Sequence, residues 1–178
     1  MPESDLRSVE RSGGAQVYGE LTVRGGASVI ELLRMQAGDV VYDLGSGAGR
    51  FVAQACLAIP GLRGVGVELA ESRHAVAAAA EQRPGWPPLA SARHADILHT
   101  PMDECTHVYF ASVAFDDAFM AKCGAKLAEL PRLTAVATLR RFPNFALERS
   151  GFKEDLADEQ VCVEVTWGVA RCYVYRRS

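Results

Sequence analysis

From Ser28 onward the sequence alternates between two hydrophobic periods, and this alternation restricts the possible folds more than any other feature. Val29, Ile30, Leu32 and Leu33 recur at helical spacing, and the pattern stops near Gly38. Val40–Leu44 is then an apolar run broken only by Asp43, as expected of a strand buried on both faces. Phe51, Val52, Ala55, Cys56 and Ile59 share one face of a helix that Pro60-Gly61 ends. The same reading predicts a strand over 64–67, a helix over 71–83, a loop at the Pro- and Gly-rich stretch 84–88 and a weak strand over 90–95. A stronger strand over 108–111 leads to a helix lined by Phe119, Cys123, Leu127 and Leu130, and then to a strand over 133–139. Strands alternating with helices in this way indicate βαβ units, hence a doubly wound, mostly parallel sheet with helices on both faces. The ending differs. Residues 161–166 and 169–175 are β-rich runs around Trp167-Gly168 with no helix between them, which predicts a C-terminal antiparallel hairpin.

The chain has 178 residues, enough for one domain that buries roughly 70% of its unfolded surface without disulfide or metal. Residues 1–16 carry few apolar side chains and a Gly-Gly pair, and are expected to form a loosely ordered tail ahead of a domain over 17–178. With 19 Lys and Arg against 22 Asp and Glu, a net charge of −3 and no basic run, strong nucleic-acid binding by this chain alone is not expected. No stretch reaches membrane-span length, and the polar start does not resemble a secretory signal. An intracellular protein, cytoplasmic or nuclear, is therefore expected, its five cysteines reduced. Cys105, His107, His94 and His99 lack the second pair that zinc spacing requires, so no metal is expected. Asp116 and Asp117 read as helix-start carboxylates.

The chemistry concentrates in Asp43-Leu44-Gly45-Ser46-Gly47-Ala48-Gly49-Arg50, between a predicted strand and a predicted helix. Glycines at 45, 47 and 49 allow a tight turn and close ligand approach, and amides at the helix start favour acceptor groups. Asp43 and Glu68 end the first two predicted strands, where doubly wound folds bind nucleosides. A carboxylate there accepts from both hydroxyls of a ribose. A dinucleotide fingerprint would require a third glycine where Arg50 stands.

DLGSGAGR followed by VGVELAESRHAVAAA resembles the class I S-adenosylmethionine-dependent methyltransferases, whose fold is Rossmann-like. The resemblance implies that Gly45, Ser46, Gly47 and Gly49 border the methionine part of the cofactor. It implies too that Glu68, with Leu69 beside it, holds the ribose. Val17-Tyr18-Gly19-Glu20-Leu21-Thr22 is similar to the cofactor-contacting YGE segment of the disruptor-of-telomeric-silencing (DOT) family of non-SET histone lysine methyltransferases. That resemblance gives Tyr18 and Glu20 cofactor contacts, and places Asp96 on the adenine amino group with Ile97 on its face. The family's Asn-Asn-Phe-Ala-Phe segment appears as Ala111-Ser112-Val113-Ala114-Phe115. Ala111 thus stands beside the cofactor without a carboxamide, and Ser112 is a shorter substitute. Tyr18 and Phe115 either wall the channel for the target amine or, for Phe115, begin the apolar stripe of the next helix. The implied activity is methyl transfer from S-adenosylmethionine, leaving S-adenosylhomocysteine, to a lysine-bearing protein such as a histone, by in-line displacement. A small-molecule or non-histone acceptor, and a binding module without turnover, are the alternatives.

Overall fold

The computed structural model describes residues 2, 3, 5, 19–155 and 161–178. In chain order the elements are α1 (Val23–Leu33), β1 (Val40–Leu44), α2 (Arg50–Ala58), β2 (Arg63–Glu68), α3 (Glu71–Glu81), β3 (Ala90–His94) and β4 (His107–Phe110). They continue as α4 (Asp117–Glu129), β5 (Ala135–Thr138), β6 (Phe152–Glu154), β7 (Cys162–Val165), β8 (Gly168–Arg171) and β9 (Tyr173–Arg177). Every residue of β1, β4 and β5 is buried, as strands covered on both faces must be. The weak third strand of the sequence pattern is an edge strand in which only Ala90 is buried.

Among the described residues the main sheet has seven strands in the order β3-β2-β1-β4-β5-β9-β6. The first five in chain order pair in parallel, and β9 runs antiparallel to β5 and β6. One face packs under α1 and α2 through Val29, Leu33, Val41, Phe51 and Tyr109. The opposite face packs under α4 through Tyr42, Leu44, Phe110, Phe119 and Met120. Helix α4 starts on Asp116, whose side chain accepts from the Phe119 N–H at 2.7 Å, so this carboxylate is the cap its position suggested. The expected doubly wound, mostly parallel sheet is the observed one.

Two features depart from the sequence pattern in detail. The expected hairpin is β7 paired with β8 in a separate two-stranded sheet; the chain breaks strand geometry at buried Cys172 and returns to the main sheet as β9. A continuous β-rich run conceals that change of partner. Helix α1 begins at Val23, ahead of the periodic pattern, because Thr22 caps it by accepting from the Gly25 N–H at 3.1 Å. Of the tail expected at 1–16, residues 2, 3 and 5 are described. Asp5 is buried and accepts from the Ser72 N–H at 3.0 Å, supplying α3 with the side-chain cap that its own Ala70 lacks.

Candidate functional site

β1 lies between β2 and β4, so the connections leaving β1 and β4 diverge at its carboxyl end and open a crevice there. The crevice has a volume of about 880 Å3 and runs along the α1–α2 face of the sheet. Its floor is the glycine loop with Asp43, and its walls include Glu20, Phe51, Trp86, Tyr109 and Thr166. Gly45, Gly47 and Gly49 all adopt left-handed backbone angles, with φ of 80°, 54° and 75°, which β-carbons disfavour.

Four amides of the glycine loop turn inward, and they precede the helix-start amides that the sequence expectation concerned. The Gly45 and Ser46 N–H groups donate to the Val67 carbonyl at 2.8 and 3.1 Å, and Gly49 donates to the Ser46 carbonyl at 2.9 Å. Gly47 donates to Glu68 Oε2 at 2.9 Å, while the other Glu68 oxygen accepts from the Ala70 N–H at 2.8 Å. Glu68 is thus a buried staple between the glycine loop and the start of α3. The Gly45, Ser46, Gly47 and Gly49 amides are thus committed within the fold.

What the crevice presents is two carboxyl groups, Asp43 and Glu20, with Arg50 beside them. Asp43 is buried, and its carboxyl is pushed up to about 8, first by burial and then by the charges of Glu68 and Glu20. Glu20 is held by two groups of contacts: Arg50 Nη1 lies 3.1 Å from its carboxylate, and its backbone pairs with Thr166. The Glu20 N–H donates to Thr166 Oγ1 at 3.2 Å, and the Thr166 N–H donates to the Glu20 carbonyl at 2.9 Å. The β7–β8 pair therefore positions the Gly19–Thr22 segment; Leu21 bridges Val165, and an added β-carbon at Gly19 would overlap the Trp167 ring at 1.7 Å.

Two residues of the crevice lining, Ser46 and Tyr109, carry buried side-chain oxygens with no hydrogen-bond partner among the described residues. Such atoms destabilise a fold unless something satisfies them. The carboxyl groups of Asp43 and Glu20 suit a ligand rich in donors. Among the described residues no cluster of His, Cys, Asp and Glu is arranged to hold a metal ion. The residues weighed for zinc make other contacts: Cys105 donates to the His107 carbonyl at 3.2 Å, His107 meets Thr106 Oγ1 at 2.8 Å, His99 meets Asp96 at 3.0 Å, and His94 Nε2 lies 2.9 Å from the Leu69 carbonyl.

Of the site residues expected from sequence, Glu20, Asp43, Gly45, Ser46, Gly47 and Ala111 line the crevice together. Gly49 caps α2 directly behind it. Leu69 adjoins Glu68, with its carbonyl 2.9 Å from His94 Nε2. Tyr18 lies outside the described residues. Asp96 turns both oxygens to its own loop, onto the Leu98 N–H at 2.8 Å and His99, and Ile97 is buried in the core on the α4 side of the sheet. Ser112 is fully buried, its hydroxyl 2.6 Å from Thr138 Oγ1, so it does not stand in for a carboxamide at an open site. Phe115 stacks on Phe119 with ring centroids 4.7 Å apart, which is the apolar-stripe alternative. Sequence reasoning missed Tyr109, Trp86 and Thr166. The tyrosine hydroxyl, in a strand otherwise apolar after His107, was the one available signal, and it acquires meaning only when β4 is set beside β1.

Residues 2–84, under half of the chain, match the family described as "Histone methylation protein DOT1". No curated protein matches the sequence. Among solved structures, an RNA methyltransferase from Salinibacter ruber in complex with S-adenosyl-L-homocysteine is 26% identical, with 85% of this chain and 88% of that one covered at a TM-score of 0.61. The magnesium protoporphyrin IX methyltransferase ChlM from Synechocystis PCC 6803, with bound SAM, is 14% identical over 100% of this chain and 86% of its own, at a TM-score of 0.69. TrmN from Thermus thermophilus is 20% identical, with 86% of this chain and 48% of that one covered at a TM-score of 0.64. The chain has the fold of the class I S-adenosylmethionine-dependent methyltransferases.

Proposed function

We propose that this chain binds S-adenosylmethionine in the β1–β4 crevice and transfers its methyl group to a protein lysine. The observation that carries the cofactor reading is the floor of the crevice, where Asp43 and Glu20 stand over a glycine loop whose amides face inward. That arrangement favours a sulfonium and an ammonium over a phosphate. The solved relatives with bound cofactor or product support the same identity.

When bound, the cofactor supplies an electrophilic methyl carbon on sulfur, open to in-line attack by a neutral amine. Glu68 keeps unused lone pairs on both oxygens for ribose hydroxyls, because each oxygen accepts one backbone amide. Glu20, fixed by Arg50 and the β7–β8 pair, faces the amino-acid arm. Alignment of nucleophile and methyl does most of the catalytic work in such transfers, contributing roughly 7–11 kcal/mol. No conspicuous acid or base is therefore required.

The lysine reading draws on the match of residues 2–84 to the DOT family and on the charge distribution. The two basic pairs of the sequence are engaged within the fold: Arg140 with Asp117 and the Phe115 carbonyl, Arg141 with Glu154 at 2.8 Å, Arg176 with Asp155 at 2.9 Å, and Arg177 with the Leu130 carbonyl at 2.9 Å. They offer a small footprint for DNA or RNA phosphates, so free histones or another lysine-bearing protein are expected to be better substrates than nucleosomes. The likeness to the Salinibacter ruber RNA methyltransferase favours an RNA acceptor as the second reading. The test is transfer of radiolabelled methyl to free histones, nucleosomes, lysate protein and total RNA at physiological salt. Label recovered as methyl-lysine after protein hydrolysis is the expected result. Label confined to nuclease-sensitive material, or cofactor binding without turnover on any pool, refutes the lysine assignment.

A further inference from the structure

On the face that packs toward α2, β2 has glycine at two successive positions, Gly64 and Gly66. Neither adopts a left-handed backbone angle, so the fold uses the space they leave and not their conformational freedom. Glycine inside a strand weakens it, and often marks a place where another part of the chain comes close. Gly66 is the register partner of Asp43 across the parallel β1–β2 pair, and register partners project from the same face. At the level of Asp43 the sheet therefore has a gap on its β2 side, and Ser46 folds into it. A β-carbon added at Gly66 would lie 2.5 Å from Ser46 Oγ and 2.8 Å from Ser46 Cβ, while the next nearest atom, on Val52, is at an ordinary 3.5 Å. Ser46 is 6% exposed, and its hydroxyl has no partner among the described residues. The side chain is thus seated by packing alone. Its backbone is tied on both sides, the N–H donating to the Val67 carbonyl at 3.1 Å and the carbonyl accepting from Gly49 at 2.9 Å.

We propose that Gly66 is a positioning residue that acts through Ser46: the space left by its missing side chain sets the height of the glycine loop over the sheet, and so the depth of the crevice. The inference rests on the reading of the crevice as the S-adenosylmethionine site. Rotation of the Ser46 side chain can carry Oγ away from a new β-carbon, but it cannot move Cβ. Carbon atoms in ordinary contact lie about 3.5–4.0 Å apart, so a side chain at position 66 forces the loop backbone to retreat by about 0.7 Å or more. The Gly47 N–H follows Ser46 in the chain and reaches Glu68 Oε2 at 2.9 Å. It is drawn off that carboxylate as the loop lifts. Loop and Glu68 then no longer share one geometry, and a misplacement of about 1 Å can cost roughly 100-fold.

Second-site rescue separates this role from a general packing role. The proteins are the wild-type chain, Gly66→Ala, Ser46→Gly and the double variant. The measurements are calorimetric titration of S-adenosylhomocysteine and hydrogen exchange at the Gly47 amide. Gly66→Ala is expected to bind about 10- to 100-fold more weakly and to lose protection at Gly47. Ser46→Gly is expected to lose at most about fivefold, through the backbone freedom of an added glycine. The double variant is expected to return to the level of Ser46→Gly in both measurements, because no atom outside Ser46 obstructs the new carbon. A general loss of packing is not repaired in this way, since Ser46→Gly removes contacts and adds none. Should Gly66→Ala fail to fold, recovery of the fold in the double variant carries the same meaning. Wild-type affinity of Gly66→Ala, or a double variant no better than Gly66→Ala, overturns the inference while leaving the cofactor site standing. Failure of the wild-type chain to bind S-adenosylhomocysteine overturns the cofactor reading and this inference with it.

Discussion

Replacing Glu68 by alanine tests the most consequential contact in the site. From its position at the end of a strand, Glu68 reads as a ligand group whose loss spares the fold. The structure adds a second role, since both oxygens accept from buried backbone amides, Gly47 at 2.9 Å and Ala70 at 2.8 Å. Glu68→Ala orphans both donors. Each charge-assisted bond contributes about 1.5–3 kcal/mol, and a buried unsatisfied N–H costs about 1–3 kcal/mol. Part of this is offset because a buried charge beside Asp43 is also removed. A net destabilisation of about 2–4 kcal/mol follows, which lowers the melting temperature of a chain this size by roughly 4–16 °C. Cofactor affinity falls as well, by roughly 10- to 1000-fold, because ribose contacts and loop geometry are lost together. Glu68→Gln should lie between the two in stability, as its carbonyl satisfies one amide while its NH2 faces the other. The assay is scanning calorimetry of the ligand-free proteins, with titration of S-adenosylhomocysteine well below the transition. A Glu68→Ala variant with the wild-type melting temperature and urea midpoint would show that the staple carries no load, whatever its effect on binding.

Three further outcomes are expected. Asp43 titrates near 8 in the fold against an ordinary value of 3.8, chiefly through burial, so the stability it contributes is complete below about pH 4 and is lost as pH rises through about 8. The ligand-free melting temperature should therefore decline over that window, Asp43→Asn should flatten the decline, and a cationic ligand should release a proton on binding, measurable by calorimetry in two buffers of different ionisation enthalpy. Gly47→Val places a branched side chain at a φ of 54° where the loop meets the ligand; binding should be abolished with a modest fall in melting temperature, and normal titration would place the ligand elsewhere. An added β-carbon at Gly25 would lie 1.9 Å from the backbone oxygen of Glu164, so Gly25→Ala should push α1 off β7, lower the melting temperature and weaken binding through displacement of Glu20; unchanged values of both would refute that link.

Local chemistry made the sheet and the glycine loop legible before any coordinates. A strand covered on both faces has to be apolar in every position, and Val40–Leu44 meets that requirement except at Asp43, the exception that marks the site. Helices ended by Pro60-Gly61 and capped by Asp116 declare their limits within a few residues of chain. Positive φ at Gly45, Gly47 and Gly49 is likewise a property of residue type at a turn. The resemblance in DLGSGAGR pointed to the same crevice that the structure opens beside β1.

Tertiary structure alone decided the relations between distant segments. The start of α1 at Val23 has no periodic apolar signature, because Gly25 and Gly26 are buried there without side chains to declare it; their value is the close approach they permit to β7 and Gln54. The inward turn of the loop amides depends on Val67 and Glu68, which arrive from another strand. Ser112 became core rather than site because β5 brought Thr138 within 2.6 Å of its hydroxyl. Tyr109 became part of the site only through its register with Asp43. A sequence records each residue's preferences for backbone and burial, which act over a few positions. Which carboxylate meets which hydroxyl depends on strand order and register, and these are set by packing the whole chain at once.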